Sequence, residues 1–148
     1  MLNIIPLSEE HTDSICEIEN ESFGDPWSRQ FFLDLFDNPF ALCYTAIINA
    51  EVVGYLIAYQ VIDEIQILNV AVKKSERGKK IATKLFDTIF DSAGTEKIKE
   101  FTLEVRPSNI GAISLYKKLG FEIDGVRKNY YQKPKEDAVL MSLKVVKK

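Results

Sequence analysis

A strand, a helix and a second strand follow one another in the middle of the chain, and this unit constrains the fold most. Residues 64–72 form an apolar run typical of a central strand, and residues 98–105 form another. Between them, Ile81 and Leu85 begin an apolar pattern with helical spacing, and Gly94 is the expected helix end. Strands joined in this way pair in parallel through a right-handed crossover. Ligands of such sheets bind beyond the carboxyl ends of the strands, so we expect a site there.

Local signals on both sides of this unit complete a predicted α/β fold. The order β-α-α-β-β-β-α-β-α-β-β indicates one domain over residues 1–148, with a mixed, mainly antiparallel twisted sheet flanked by about four helices. Runs of alternating or β-branched residues predict the strands, and capping residues predict the helix ends. The other predicted strands lie at 2–7, at 41–48 and 52–62 around a turn at 49–51, and twice within 121–146 around a loop at 133–135. The other predicted helices run from Ser8 to Ser22 and, after a turn at 25–28, from the cap Ser28 onward with Phe31, Phe32, Leu35 and Phe36 buried. A last predicted helix is introduced by Pro107 and Ser108 and ended by Gly120.

Charge and composition exclude several classes of function. The net charge of -3 lacks the basic footprint of a nucleic-acid-binding protein. The one histidine and two separated cysteines, Cys16 and Cys43, predict no metal site, and we expect both thiols to be free and buried. We find no secretory signal and no apolar run of about 18 residues, so the expected location is the cytoplasm, without membrane contact.

The turn after the strand at 64–72 is basic and precedes a helix. Arg77, Lys79 and Lys80 add positive charge next to the helix start, whose N–H groups could bind a phosphate or pyrophosphate. A solvated basic turn with no ligand is the alternative interpretation. The segment lacks both GxxxxGK[ST] and GxGxxG, which disfavours a nucleotide hydrolase.

Glu104 lies near the carboxyl end of the strand at 98–105. Alternation puts it on the face opposite Leu103 and Val105, where a carboxylate is well placed as a general base. An ordinary solvent-facing charge is the alternative. Asn109 and Tyr116 are seven residues apart and therefore share a helix face beside the same strand end. A tyrosine in that position more often packs than donates a proton.

Several motifs together resemble the GNAT acetyltransferase superfamily over nearly the whole chain. They are Asn69-Val70-Ala71-Val72, the basic turn, the segment LEVRPSN at 103–109, and the segment LYKKLGF at 115–121. Further segments resemble the bacterial branch of the family that acetylates the N-terminal alanine of a small-subunit ribosomal protein. These are DPWS at 25–28, Asp63-Glu64, Asn129-Tyr130-Tyr131 and Glu136-Asp137-Ala138.

The resemblance implies a role for each group of residues. Glu104 would accept a proton from the acceptor amine, and Tyr116 would donate one to the departing thiolate of CoA. The acceptor would be a peptide or protein N-terminus, acetyl-CoA would be the co-substrate, and no metal would take part. The implied binding residues are the backbone of Val70, Ala71 and Val72 for pantetheine, the turn Arg77, Gly78, Lys79, Lys80, Ile81, Ala82 and Thr83 for pyrophosphate, Asn109 for the cofactor, and Trp27, Glu64, Tyr130 and Tyr131 for the acceptor.

One residue departs from the family pattern. The signature Arg/Gln-x-x-Gly-x-Gly/Ala reads Arg77-Gly78-Lys79-Lys80-Ile81-Ala82 here, so Lys80 stands where the first glycine belongs. A lysine keeps the N–H donor but adds bulk and a cation. Two alternatives stay open: an acetyltransferase for a lysine side chain or small-molecule amine, and a non-catalytic acyl-CoA-binding module.

Overall fold

One mixed sheet of seven strands organises the chain. The computed structural model describes residues 1–92 and 97–145. Its elements follow the predicted order, with short 3-10 turns at Glu9–His11, Leu35–Asp37 and Lys74–Glu76. The strands are β1 (Leu2–Pro6), β2 (Ala41–Ile48), β3 (Glu51–Val61), β4 (Glu64–Val72), β5 (Glu100–Val105), β6 (Glu122–Gln132) and β7 (Lys135–Lys144), and the helices are α1 (Thr12–Ser22), α2 (Arg29–Asp34), α3 (Ile81–Ser92) and α4 (Ile110–Leu119).

The sheet is mainly antiparallel, as predicted. Its strand order is β1-β2-β3-β4-β5-β7-β6. β4 and β5 run parallel and are joined through α3, whereas every other neighbouring pair in the described residues is antiparallel. The predicted β-α-β unit therefore lies at the centre of the sheet.

Two apolar cores cover the two faces of the sheet. The larger core contains Leu85 and Phe86 of α3, with Tyr116 of α4 packed against it. The smaller core contains Ile15 of α1 and Phe32 of α2. Each helix pair thus buries its apolar stripe against one face, as sheets and amphipathic helices require. In residues 1–92 and 97–145, no helix is long and apolar enough to cross a bilayer.

The first helical region differs from its prediction. Ser8 has an extended backbone and its side chain makes no capping hydrogen bond. A 3-10 turn follows, and α1 begins only at Thr12, whose Oγ1 donates to the Glu9 carbonyl oxygen at 2.7 Å. Phe36, predicted to be buried, is 36% exposed because α2 tightens into a 3-10 turn at Leu35, which moves the next side chain off the stripe.

Other boundaries shift by one or two residues. Ile98 is fully buried, but the β5 ladder starts at Glu100. Asn109, rather than Ser108, caps the helix after β5, and its Oδ1 accepts from the Ala112 N–H at 3.2 Å. The turn between β2 and β3 is confirmed, and the predicted helix end at Gly94 lies outside the described residues. Cys16 and Cys43 are free thiols, as predicted, but are half-buried rather than buried.

Candidate active site

β4 and β5 separate before they end. Their parallel pairing stops at Ile67 and Leu103, although β4 continues to Val72 and β5 continues to Val105. At the same level, the register between β3 and β4 shifts next to Asn69. The last residues of β4 therefore pair with β3 on one side and face a gap on the other, where their polar backbone groups can bond an extended ligand. The residues along this edge include those predicted to bind pantetheine: Val70, Ala71 and Val72.

The turn before α3 contains two residues with left-handed backbone. Gly78 has φ +83° and Lys80 has φ +62°. A Cβ on Gly78 would contact nothing within 4 Å, so the backbone conformation rather than space accounts for the glycine. The first N–H groups of α3 have no partner within the helix, and the helix dipole makes this end attractive to anions. The other residues predicted to bind pyrophosphate lie in this turn and the first helical turn: Lys79, Ile81, Ala82 and Thr83.

Two of the three cations predicted to bind pyrophosphate already have protein partners. The Arg77 guanidinium donates to the Val72 carbonyl oxygen at 3.0 Å and to Ser22 Oγ at 3.3 Å. Lys79 pairs with Glu76 at 2.6 Å. No ion pair of Lys80 is found within residues 1–92 and 97–145, and its side chain is exposed. Of the three cations predicted to bind pyrophosphate, Lys80 is therefore the one whose ammonium is not engaged by an acidic side chain of the described residues.

Glu104 lies at the mouth of the gap, on the predicted face of β5. Phe101, Leu103 and Val105 are buried on the opposite face, which confirms the alternation. The Glu104 carboxylate is 31% exposed and accepts from Arg127 Nη1 at 3.1 Å. Hydrogen bonding toward this carboxylate raises the pKa of the Tyr130 phenol.

Tyr116 projects from α4 and packs its ring in the larger core. The ring makes edge contacts with Phe86 and Phe121, with centroid separations of 5.6 and 6.0 Å. Burial raises the pKa of Tyr116 to about 12, so its hydroxyl is protonated at neutral pH.

A polar cluster holds the turn between β6 and β7 beside Tyr131. Arg106 donates to the carbonyl oxygens of Lys133 and Pro134 at 3.2 and 2.6 Å, and pairs with Glu136 at 3.1 Å. The guanidinium carbon lies 4.2 Å from the centre of the Tyr131 ring. Burial, with a smaller contribution from the Glu104 charge, raises the pKa of Tyr131 to about 12.

The segment between α1 and α2 closes against the same turn. A Cβ on Gly24 would lie 2.9 Å from the Lys133 carbonyl oxygen and 3.8 Å from Pro134 Cδ. A side chain at position 24 would therefore push the two segments apart. Three residues later, Trp27 is half-buried and packs against Phe31, with ring centres 4.1 Å apart and ring planes tilted by 51°. Three of the four predicted acceptor residues, Trp27, Tyr130 and Tyr131, thus lie on two segments that approach each other closely.

Glu64 lies apart from the other predicted residues. It starts β4 opposite Glu100, about 13 Å along the sheet from the position of Glu104. Its carboxylate accepts from Gln66 at 2.9 Å and from Thr102 at 3.1 Å. Its predicted role in acceptor binding stays a prediction. Across residues 1–92 and 97–145, no three His, Cys, Asp or Glu side chains meet as metal ligands.

Comparison with known families decides what this arrangement is. Residues 12–121 match the model of the acetyltransferase (GNAT) family. The chain belongs to the GNAT family. The predicted resemblance is confirmed, and the gap between β4 and β5, the basic turn and α4 are parts of a GNAT fold.

Individual GNAT relatives match nearly the whole chain. The chain is 37% identical over 133 residues to a putative ribosomal protein bS18-alanine N-acetyltransferase of Bacillus subtilis, covering 89% of this chain and 88% of the relative. It is 31% identical over 148 residues to the bS18-alanine N-acetyltransferase of Salmonella typhimurium, covering 98% and 99%. The crystal structure of the ribosomal-protein-S18-alanine N-acetyltransferase from Escherichia coli matches with a TM-score of 0.91 at 28% identity, covering 100% and 96%.

The sequence did not indicate three charged residues of the candidate site. Arg127 pairs with Glu104, Arg106 holds the turn after β6, and Glu19 lies buried beneath Trp27. Glu19 had a detectable signal, because it follows Ile15 by four residues on the buried stripe of α1. Arg127 had none, since it lies in an irregular part of β6 where strand alternation fails.

Proposed function

We propose that the protein transfers the acetyl group of acetyl-CoA to the N-terminal α-amine of a protein, the N-terminal alanine of a small-subunit ribosomal protein. Membership of the GNAT family supports the acetyl transfer, and similarity along nearly the whole chain to bS18-alanine N-acetyltransferases supports the acceptor. The observation that carries the choice of an N-terminus is the close approach of Gly24 to the Lys133 carbonyl oxygen, which would close one side of a groove for the acceptor peptide.

The gap beside β4 fits the pantetheine arm of acetyl-CoA. Its amide groups can pair with the polar backbone of Val70 to Val72 as an added strand would. The N–H groups from Gly78 to Thr83 and the ammonium of Lys80 would hold the pyrophosphate. Asn109 Oδ1 is engaged in capping α4, so its Nδ2 would be the atom that contacts the cofactor. Acetyl-CoA supplies an activated thioester carbonyl to this gap.

Glu104 would prepare the acceptor amine. An ammonium must lose a proton before nitrogen can attack a carbonyl carbon. An α-amine has a reference pKa near ~8 and a lysine amine near ~10.4, so an N-terminal amine loses its proton more easily at neutral pH. Because the Glu104 carboxylate is partly open to solvent, a water between it and the amine would carry the proton.

Tyr116 would complete the transfer. As nitrogen bonds to the carbonyl carbon and the carbon–sulfur bond breaks, the Tyr116 hydroxyl gives its proton to the sulfur. Its pKa of about 12 keeps that proton available at neutral pH. The nitrogen then releases its remaining extra proton to solvent, and the Tyr116 phenolate takes one up from solvent. Trp27, Tyr130 and Tyr131 would border the first residues of the acceptor, leaving only a chain end able to approach Glu104.

Acetyl transfer to a panel of amines tests the proposal. The purified protein is mixed with acetyl-CoA and, separately, with peptides that begin with Ala, Ser or Met, an N-terminally blocked peptide with an internal lysine, and a polyamine. Release of free thiol is followed. We expect turnover with the Ala-starting peptide. Faster turnover with the blocked lysine peptide or the polyamine would overturn the acceptor assignment, and binding of acetyl-CoA without any turnover would overturn catalysis.

A further inference from the structure

Glu19 is a carboxylate buried in the smaller core, and the proposed chemistry does not use it. Its side chain lies on α1 and is 1% exposed. Its Oε2 accepts from the Trp27 main-chain N–H at 2.9 Å, and its Oε1 accepts from the Tyr55 hydroxyl and from Asn69 Nδ2. The carboxylate therefore joins three other elements of the structure at one point.

Packing alone does not explain a charge in this place. Neighbouring positions are filled by Ile15, Ile18 and Phe32, all apolar and buried. A buried carboxylate loses its hydration, and replacing such groups with apolar side chains of similar volume often leaves stability unchanged or improved. Burial raises the pKa of Glu19, which is the sign of this cost. Its three hydrogen bonds, rather than its volume, distinguish it from its neighbours.

The three donors belong to both halves of the candidate site. Trp27 lies on the segment between α1 and α2 that closes against the turn after β6. Asn69 lies where the β3–β4 register shifts, directly before the pantetheine-binding edge. Tyr55 lies on β3 opposite Ala71 of that edge. We call the segment that carries Trp27 the acceptor wall and the end of β4, residues 70–72, the cofactor edge. A displacement of Glu19 would therefore move the acceptor wall relative to the cofactor edge.

We propose that Glu19 is a positioning residue that fixes the acceptor wall at Trp27 relative to the end of β4. It touches neither substrate and acts through the Trp27 backbone and the Asn69 side chain. The acceptor half of this inference rests on the proposed function. The placement of Trp27 does not, so it can be measured in the protein without any acceptor.

The single tryptophan of the chain, Trp27, reports directly on this placement. Glu19→Gln replaces one acceptor oxygen by an amide donor, which opposes the three donors that converge on it. We expect a red shift of the Trp27 emission and at least a two-fold increase in its quenching by acrylamide, with an unchanged far-ultraviolet circular dichroism spectrum. Glu17→Gln is the matched control, because it removes the same charge from an exposed position of the same helix, and it should behave as the wild type.

Kinetics separate a positioning role from a general loss of structure. We expect Glu19→Gln to raise the KM for the Ala-starting peptide about ten-fold, while the dissociation constant of acetyl-CoA changes less than three-fold because the β3–β4 ladder remains. Tyr55→Phe keeps the buried ring, removes one donor and should shift both readouts in the same direction by a smaller amount. This variant also serves if Glu19→Gln does not fold.

Equal Trp27 emission and equal peptide KM in Glu19→Gln and Glu17→Gln would overturn the proposal, as would unchanged emission in Tyr55→Phe. Suppose that Glu19→Gln changes the Trp27 emission, but the wild type turns over no peptide with a free N-terminus. Glu19 would then still be the residue that positions Trp27, and the proposed function would be refuted instead.

Discussion

The Glu104 carboxylate accepts a hydrogen bond from the Arg127 guanidinium at 3.1 Å at the open end of the gap between β4 and β5. Arg127 belongs to β6 and is about half exposed, so this ion pair contributes at most about 1 kcal/mol to stability. The proposed base is therefore held in place by a weak, solvent-exposed ion pair that leaves room for a water beside the carboxylate.

Removal of the Glu104 charge tests its role as the base. Glu104→Gln should lower kcat for the Ala-starting peptide by about ten-fold to several hundred-fold, because the amide cannot accept the proton. Glu100→Gln is the matched control: it lies on the same face of β5, pairs with Lys144 and is distant from the gap. Initial rates and thermal unfolding are measured for both variants. Equal kcat in the two would contradict the assignment.

The raised pKa of Tyr116 predicts the shape of the pH profile. Its phenol, with a pKa of about 12, stays protonated up to pH 10, so kcat should not fall on the alkaline side through loss of that proton. Tyr116→Phe should lower kcat by about ten-fold to several hundred-fold, whereas Tyr44→Phe on β2 should not. A wild-type kcat that declines between pH 8 and 10 with an apparent pKa near ~9 would contradict this role.

Lys80 combines backbone strain with an exposed cation, and two substitutions separate these effects. Lys80→Gly should keep the fold and raise the free energy of unfolding by up to about 1 kcal/mol, because glycine adopts a φ of +62° without strain. Lys80→Gln keeps the strain but loses the charge. Both should weaken acetyl-CoA binding several-fold at low salt, with a smaller difference at high salt. Wild-type affinity in Lys80→Gln, measured by calorimetry, would show that the ammonium does not contact phosphate.

The raised pKa of Glu19 predicts the direction in which the free energy of unfolding changes with pH. Its folded-state pKa lies above the unfolded value, so the folded protein takes up a proton before the unfolded chain does. The unfolding free energy of the wild type relative to Glu19→Gln should therefore rise as pH falls from 7.5 toward 5. Urea unfolding at several pH values measures this difference, with Glu17→Gln expected to show no trend. A difference that shrinks as pH falls would contradict the raised pKa.

Local sequence patterns predicted much of this structure. The apolar period of α3 and the alternation in β5 located the central unit and the face that carries Glu104. Helical spacing placed Tyr116 on the side of α4 that packs against Phe86. These predictions succeeded because each depends on residues close together in the chain.

Contacts between distant segments could not be predicted in the same way. Gly24 meets Lys133 across more than one hundred residues, and no local pattern records that approach. Within β6, the register shifts between Arg127 and Tyr131, and Asn129 has φ +53°. Strand alternation is lost there, so the direction of Arg127 toward Glu104 became evident only from the folded chain.

The most direct test of the proposed function uses one peptide that offers both amines. An Ala-starting peptide with a free N-terminus and an internal lysine is incubated with the protein and acetyl-CoA, and fragment mass spectrometry locates the acetyl group. We expect a single acetyl group on the α-amine of alanine, formed at least about ten-fold more slowly when Glu104→Gln replaces the wild type. Acetylation of the lysine in preference to the α-amine would contradict it.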